Sequence, residues 1–307
     1  MKIGLLGCGA MGSLYGGYLT RAHEVYVCDV WKEHIEAIRA EGIRLEEPSG
    51  ETAVFRPAFA TTDPSEIGPV DVMIVFVKYM LLEEALKNAR TMIGPETIVL
   101  SLQNGIGNYD EIAKVVPERQ ICCGTTAHGC TFLEPGRVRH TGVGITNVGT
   151  LKGDMASAEK VAGALRQGGF EAAVHENVME LIWHKLFANI AINAVTALLD
   201  QPNATVAENP HERALAEKMV REAVAVANAA GCNFDPESEL RSAMDVALAT
   251  GTNRSSMLQD VTRQRETEIK IINGAVVRTG LEAGIPTPYN EAICHLIQAK
   301  QSFYLNK

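Results

Sequence analysis

The sequence predicts an α/β fold in which a doubly wound, mostly parallel sheet is followed by an all-helical region. Three observations predict it. Over residues 1–176, short Val/Ile-rich runs alternate with amphipathic segments, the alternation of strands and crossover helices in a parallel sheet. Several of those runs are apolar at consecutive positions, as needed when helices cover both faces of a sheet. After about Asn177 the texture changes to long stretches with Ala and Leu at helical spacing and no convincing strand.

In chain order, the candidate strands are KIGLLG (2–7), EVYVCD (24–29), DVMIVFV (71–77), TIVLSL (97–102) and ICCGTT (121–126). Glycines and β-branched residues over 136–151 predict a hairpin that adds an antiparallel element to the sheet edge, and FEAAVH (170–175) supplies a last strand. Beyond it, residues 181–200, 214–231 and 236–251 read as helices, the last two ending on Gly231 and Gly251 as helices commonly do. The expected organisation is a dinucleotide-binding domain over 1–176 and a helical substrate and catalytic domain over 177–307, with ligands in a cleft between them.

At 307 residues and 46% hydrophobic, the chain can bury two cores. A formal charge of −9 without any basic run argues against a nucleic acid or a membrane surface as partner, so an anionic substrate has to be held by a local cation. The start of the chain lacks the long apolar core of a signal peptide. The apolar stretch 181–200 carries His184, Lys185 and Asn189, which argues against a span; a cytoplasmic location is expected. Seven scattered cysteines predict reduced core thiols, and no metal-ligand spacing occurs among the cysteines and histidines.

The turn Gly7-Cys8-Gly9-Ala10-Met11-Gly12 is G-x-G-x-x-G between a strand and a helix. Gly7 permits the tight turn, Gly9 lets backbone approach a pyrophosphate, and Gly12 lets the helix pack against the strand, its N-terminal amides facing the phosphates. A Rossmann-type nucleotide site is expected, against the blander reading of a ligand-free glycine turn. Asp29, at the end of the second strand, can accept hydrogen bonds from the adenosine ribose and repel a 2′-phosphate, which favours NAD over NADP. The opposing reading is that it caps the next helix, and Lys32 nearby can attract a phosphate. Lys78 and Asn104 follow the third and fourth apolar strands, at the sheet edge where such folds bind ligands.

Within the apolar segment 181–200, Lys185, Asn189 and Asn193 stand four apart, which on a helix makes one polar stripe. Burying an ammonium and two amides is costly unless they meet a polar ligand or each other; a snorkelling lysine beside satisfied core asparagines is the alternative. A second set, Ser256, Asp260, Gln264 and Glu268, repeats the spacing and predicts a drifting helical stripe of hydroxyl and carboxylates, or else a solvated polar face.

Taken together, GCGAMG (7–12), Lys78, QNGIGN (103–108), GTTAHG (124–129), HTGVGITNVG (140–149), WHKLFANIAINAVTALLDQPN (183–203), SSMLQDVTRQRETEIKIING (255–274) and IPTPYN (285–290) resemble the ketopantoate reductase (2-dehydropantoate 2-reductase) family over nearly the whole chain. The lysine–asparagine helix and the 255–274 segment are specific to that family, whereas the glycine triplet is shared with many dehydrogenases. The resemblance implies reduction of ketopantoate to (R)-pantoate with NADPH in pantothenate biosynthesis. By motif position it makes Lys185 the general acid and Glu268 its partner and a cofactor contact. It puts Asn189, Asn193, Asn203 and Ser256 around the substrate, Asn104 against both substrate and cofactor, and Lys78 and Cys130 near the cofactor.

At the end of strand two the chain departs from the family, reading Cys28-Asp29-Val30-Trp31 where many members carry an arginine for the 2′-phosphate. That sets Asp29, favouring NAD, against the family habit of NADP. It also opens a second reading, an NAD-dependent dehydrogenase of another branched or aromatic D-2-hydroxy acid. A nucleotide-binding regulator without catalysis is a third, disfavoured by the presence of Lys185 and Glu268. A homodimer is one option for the quaternary state.

Overall fold

The computed structural model describes residues 1–305. Two compact units emerge, one of residues 1–103 and 108–181, the other of residues 104–107 and the chain from Ile182 onward.

The first unit runs β1 (Lys2–Leu6), α1 (Ala10–Leu19), β2 (Glu24–Cys28), α2 (Lys32–Glu41), β3 (Ile43–Glu46), β4 (Thr52–Phe55), β5 (Phe59–Thr61), β6 (Val72–Val75), α3 (Tyr79–Asn88), β7 (Ile98–Ser101), α4 (Asn108–Ala113), β8 (Ile121–Thr126), β9 (Gly129–Glu134), β10 (Arg137–Gly142), β11 (Thr146–Gly149), α5 (Met155–Gly168) and β12 (Ala172–Val174). Eight strands form one sheet in the order β12-β11-β8-β7-β6-β1-β2-β5. Its chain order reverses at β1, with β2 and β6 both parallel to it and Leu5 in register with Val27 and Ile74. This is the doubly wound arrangement. β6 and β7 are buried along their whole length, which is why their sequences read as unbroken apolar runs.

The hairpin expected over 136–151 does not form. Its two strands belong to different sheets: β11 lies between β12, which forms the edge of the large sheet, and β8, to which it is antiparallel, while β10 pairs antiparallel with β9 and parallel with β3. The hairpin that exists joins β9 to β10 around Gly136, whose φ is +74°. β10 turns Val138 and His140 into the interior, and this side-chain alternation commits it to the face that covers α1. A four-stranded sheet, β4-β3-β10-β9, therefore packs on the opposite side of α1 from β1 and β2. Strands β3 and β4 were not expected from the sequence; they flank the turn at Gly50, φ +89°, and the alternating IRLE and TAVF around PSG are the signal that marks them.

Beginning at the end of the first unit and continuing through the second is α6 (Val178–Leu199), followed by α7 (Thr205–Glu208), α8 (Pro210–Ala229), α9 (Pro236–Ala249), α10 (Ser256–Thr262), α11 (Asn273–Ala283) and α12 (Pro288–Leu305). Asn209 and Asp235 cap α8 and α9 through backbone amides, each with proline at the first helical position, a start signal written in the sequence. By length and composition α6 is apolar enough to cross a membrane, with 61% of its most apolar window buried inside the protein. Trp183, Leu186, Phe187 and Ile190 on this helix are buried. All seven cysteines are free thiols.

Candidate active site

In the first unit, Gly7 ends β1 with φ +93°, and a side chain there would meet the backbone of Phe76 and Val77. A Cβ on Gly12 would lie 2.1 Å from the Gly7 carbonyl oxygen, so the helix and the strand approach closely only because both positions are glycine. Gly9 is different: its φ is −62°, and a Cβ there would meet nothing within 4 Å. The fold itself does not require glycine at Gly9. The space beside it is what a pyrophosphate pressed against the backbone would fill, and α1 has no side-chain cap at this end, leaving the amides of Ala10, Met11 and Gly12 to an anion.

The turn is tied to the end of β2. Asp29 accepts the Cys8 amide at 2.7 Å and the Trp31 amide at 2.9 Å, so it both braces the glycine turn and leads into α2. The Cys8 thiol points into the core, where burial pushes its pKa up to about 12; only its backbone faces the turn's business. Lys78 is the half-buried residue preceding α3. Cys130 stands on β9 opposite His140, and burial raises its thiol to about 12 as well.

In the second unit, the half-buried Lys185 donates to Asn104 Oδ1 at 3.0 Å. Asn104 belongs to this unit because residues 104–107 fold onto it: Ile106 donates its amide to the Ile271 carbonyl at 2.9 Å, and Arg278 reaches the Ile106 carbonyl at 3.2 Å. Gly105, φ +84°, lies so close to Ile271 that a Cβ would sit 2.4 Å from its carbonyl oxygen. Burial drives the Lys185 pKa down from 10.5 to about 8, and the charge of Glu268 opposes that fall. Desolvation dominating a retained carboxylate partner gives an amine that both holds and releases a proton near neutral pH.

Asn189 is half-buried and Asn193 buried on the same helix, so the expected stripe exists on one unbroken element. The stripe expected through 256, 260, 264 and 268 does not. α10 ends at Thr262, and Gln264 adopts φ +54°, which breaks the helical period before Glu268. Ser256 is exposed at the first position of α10, Asp260 is buried, and Glu268 is buried just before a 3-10 turn over Ile269–Ile271. Asn203 donates to Thr250 at 3.0 Å, and its Oδ1 is buried without a partner.

Sequence reasoning overlooked the residue that seats α10. Ser255 accepts the Leu258 amide at 3.1 Å and receives the Thr196 hydroxyl at 2.8 Å. It thereby fixes the start of α10, and with it Ser256, against α6. A serine directly ahead of an apolar helical run is a capping signal, masked here by the second serine beside it.

Residues 3–153 match the model of the family described as ketopantoate reductase PanE/ApbA, and residues 177–301 match the one for its C-terminal part. The 2-dehydropantoate 2-reductase of Halobacterium salinarum is 37% identical over 98% of this chain and 99% of its own length. The enzyme of the same name from Pyrococcus horikoshii is 35% identical over 98% of both chains. Among solved structures, a ternary complex of D-mandelate dehydrogenase with NADH and anilino(oxo)acetate superposes with a TM-score of 0.93 at 31% identity, covering 99% of each chain. A 2-dehydropantoate 2-reductase from Geobacter metallireducens superposes with a TM-score of 0.91 at 28% identity, over 97% of this chain and 99% of the other. With both family models matched and relatives above 30% identity end to end, the chain belongs to the ketopantoate reductase PanE/ApbA family.

Proposed function

We propose that this protein is a 2-dehydropantoate 2-reductase, reducing the ketone of ketopantoate to the hydroxyl of (R)-pantoate at the expense of a reduced nicotinamide cofactor. The observation that carries the reading is Lys185, an amine with its pKa lowered to about 8, held by Asn104 and balanced by Glu268. A dinucleotide whose pyrophosphate is held at the Gly7–Gly12 turn would supply a hydride to the ketone carbon. Negative charge then grows on the carbonyl oxygen, and Lys185 stabilises it and delivers a proton there. Asn104 aims the ammonium, and the charge of Glu268 opposes the fall of its pKa, favouring the protonated form. Asn189, Asn193 and Ser256 offer uncharged hydrogen bonds to the substrate's hydroxyl and carboxylate. The unpartnered oxygen of Asn203 suits a donated substrate hydroxyl, since an orphaned buried acceptor gains most from one.

For the cofactor we favour NADH. Each Asp29 oxygen accepts one backbone amide and keeps a lone pair for a ribose hydroxyl, while its charge opposes a 2′-phosphate. Against this stands the family habit of NADPH. A second reading has a specific support, the fold likeness to a D-mandelate dehydrogenase crystallised with NADH: an NAD-dependent dehydrogenase for a bulkier D-2-hydroxy acid.

Initial rates over a panel of 2-oxo acids, run with NADH and NADPH in parallel, test these statements together. Ketopantoate should give the highest kcat/KM; preference for an aromatic or other branched 2-oxo acid would install the second reading. A strong NADPH preference would refute the assignment to Asp29. Lys185→Ala should lower kcat by an amount equivalent to about 3–5 kcal/mol with folding intact, and near-normal turnover would remove it from the mechanism.

A further inference from the structure

His34 on α2 is fully buried and uses both ring nitrogens. The amide of Gly136, in the turn between β9 and β10, donates to its Nδ1 at 2.9 Å, and its Nε2 meets the Cys8 carbonyl at 2.6 Å. An amide N–H can only donate and a carbonyl can only accept, so the ring is neutral and carries its proton on Nε2. Burial lowers its pKa against smaller pulls from the Cys8 carbonyl and Asp29, in keeping with that state. Trp31 and Phe132, with ring centres 5.8 Å and 5.1 Å from the imidazole, flank it.

The carbonyl that His34 holds belongs to the glycine turn. Ser13 Oγ donates to it as well, at 2.9 Å, while the Cys8 amide is bound by Asp29. The Cys8–Gly9 peptide is trans, so its N–H runs opposite to its C=O. With the carbonyl pinned on the buried imidazole, the Gly9 amide is turned away from His34 at the entrance to α1. Gly7 and Gly9 flank Cys8, and glycine backbone changes direction at little steric cost. The donors on the Cys8 carbonyl are therefore what opposes a flip of this peptide.

We propose that His34 is a positioning residue for dinucleotide binding: anchored by Gly136 in its Nε2–H tautomer, it pins the Cys8 carbonyl and so pre-orients the Gly9 amide and the start of α1 toward the pyrophosphate. This rests on the reading of the Gly7–Gly12 turn as the dinucleotide site. Fully buried, His34 acts through one peptide plane and not by contact with the ligand. Such pre-orientation raises affinity by removing an ordering cost from binding.

Direct titration of the full chain with NADH, and separately with NADPH, followed by nicotinamide fluorescence, tests this on three variants. His34→Gln places an amide N–H near the Nε2 position and keeps the bond to Cys8. His34→Asn places its oxygen near the Nδ1 position and keeps the bond to Gly136 but not the one to Cys8. His34→Leu keeps neither. The dinucleotide Kd should rise about tenfold in His34→Asn and His34→Leu, the scale of one hydrogen bond, and stay within about threefold of wild type in His34→Gln. Melting temperatures taken alongside separate positioning from packing. A merely structural histidine would make affinity follow stability across the series, whereas His34→Asn and His34→Gln each keep one of the two bonds and should differ in affinity far more than in melting temperature. Wild-type affinity in His34→Asn, or binding in His34→Gln as weak as in His34→Asn, would overturn the proposal while leaving the dinucleotide site in place. A wild type that binds neither NADH nor NADPH would overturn the reading of the turn and the proposal with it.

Discussion

At the scale of single residues, the chemistry turns on how burial reshapes ordinary groups. Lys185 begins as an amine of pKa 10.5 and ends near 8. Reductive turnover, which needs the protonated form, is expected to fall as pH rises through about 8, read from kcat/KM against pH. The same shift has a stability signature of definite sign. Between about 8 and 10.5 the unfolded chain keeps this proton while the folded chain has lost it, so stability rises with pH there. Urea melts at pH 7.5 and 9.5 should show that rise in the wild type and a smaller one in Lys185→Met. The glycines of the turn divide by role in a way sequence spacing does not display. Gly9→Ala should leave the melting temperature unchanged and weaken NAD(P)H binding, because its Cβ meets only the space a ligand would use. Gly12→Ala should cost about 1–3 kcal/mol of stability, because its Cβ runs into a carbonyl oxygen that cannot move aside.

Among the elements, α1 lies between two sheets and carries a buried polar chain along one side. Tyr18 bonds both Glu47 and His140, and His140 Nε2 meets His128 Nδ1 at 3.0 Å. One of those nitrogens must donate and the other accept, so both rings cannot be charged together. Burial and the neighbouring ring hold His128 down to about 4, and burial lowers His140, with Glu47 pulling it partly back. Neutral buried histidines support the fold at neutral pH. As pH falls from about 6.5 toward 4 the unfolded chain takes up protons that the folded chain refuses, and stability is lost. Melting temperatures measured between pH 7 and 4.5 should fall, and His128→Gln, which keeps a hydrogen-bonding group but cannot titrate, should flatten that slope. The pairing was invisible in the sequence because His128 lies in the connection between β8 and β9 and His140 on β10, a strand whose partners the local pattern misassigned.

For the molecule as a whole, the departure from a simple two-part division is the segment Asn104–Gly107, which lies in the sequence of the first half and folds with the second unit. Gly105 makes that possible, with a positive φ and backbone contact to Ile271. Gly105→Ala should therefore lower the melting temperature and the turnover number together, since Asn104 is what Lys185 donates to. Full turnover in a destabilised variant would detach the segment from the chemistry.

Local pattern by itself determined the doubly wound sheet, the glycine turn, the long lysine–asparagine helix and the capped helices that follow, because strand and helix periods, glycine spacing and capping residues act within a few neighbours along the chain. The family was legible too, through motifs spread over nearly the whole length. Tertiary structure alone decided that 136–151 splits between two sheets, that the polar repeat after Ser256 breaks at Gln264, that Ser255 anchors α10, and that Asn104 stands against Lys185. All but the break at Gln264, which local backbone bonds such as Arg265 to Asp260 close, depend on a partner tens of residues away in the chain. Hydrogen bonds and burial at that distance have no period for a sequence to display.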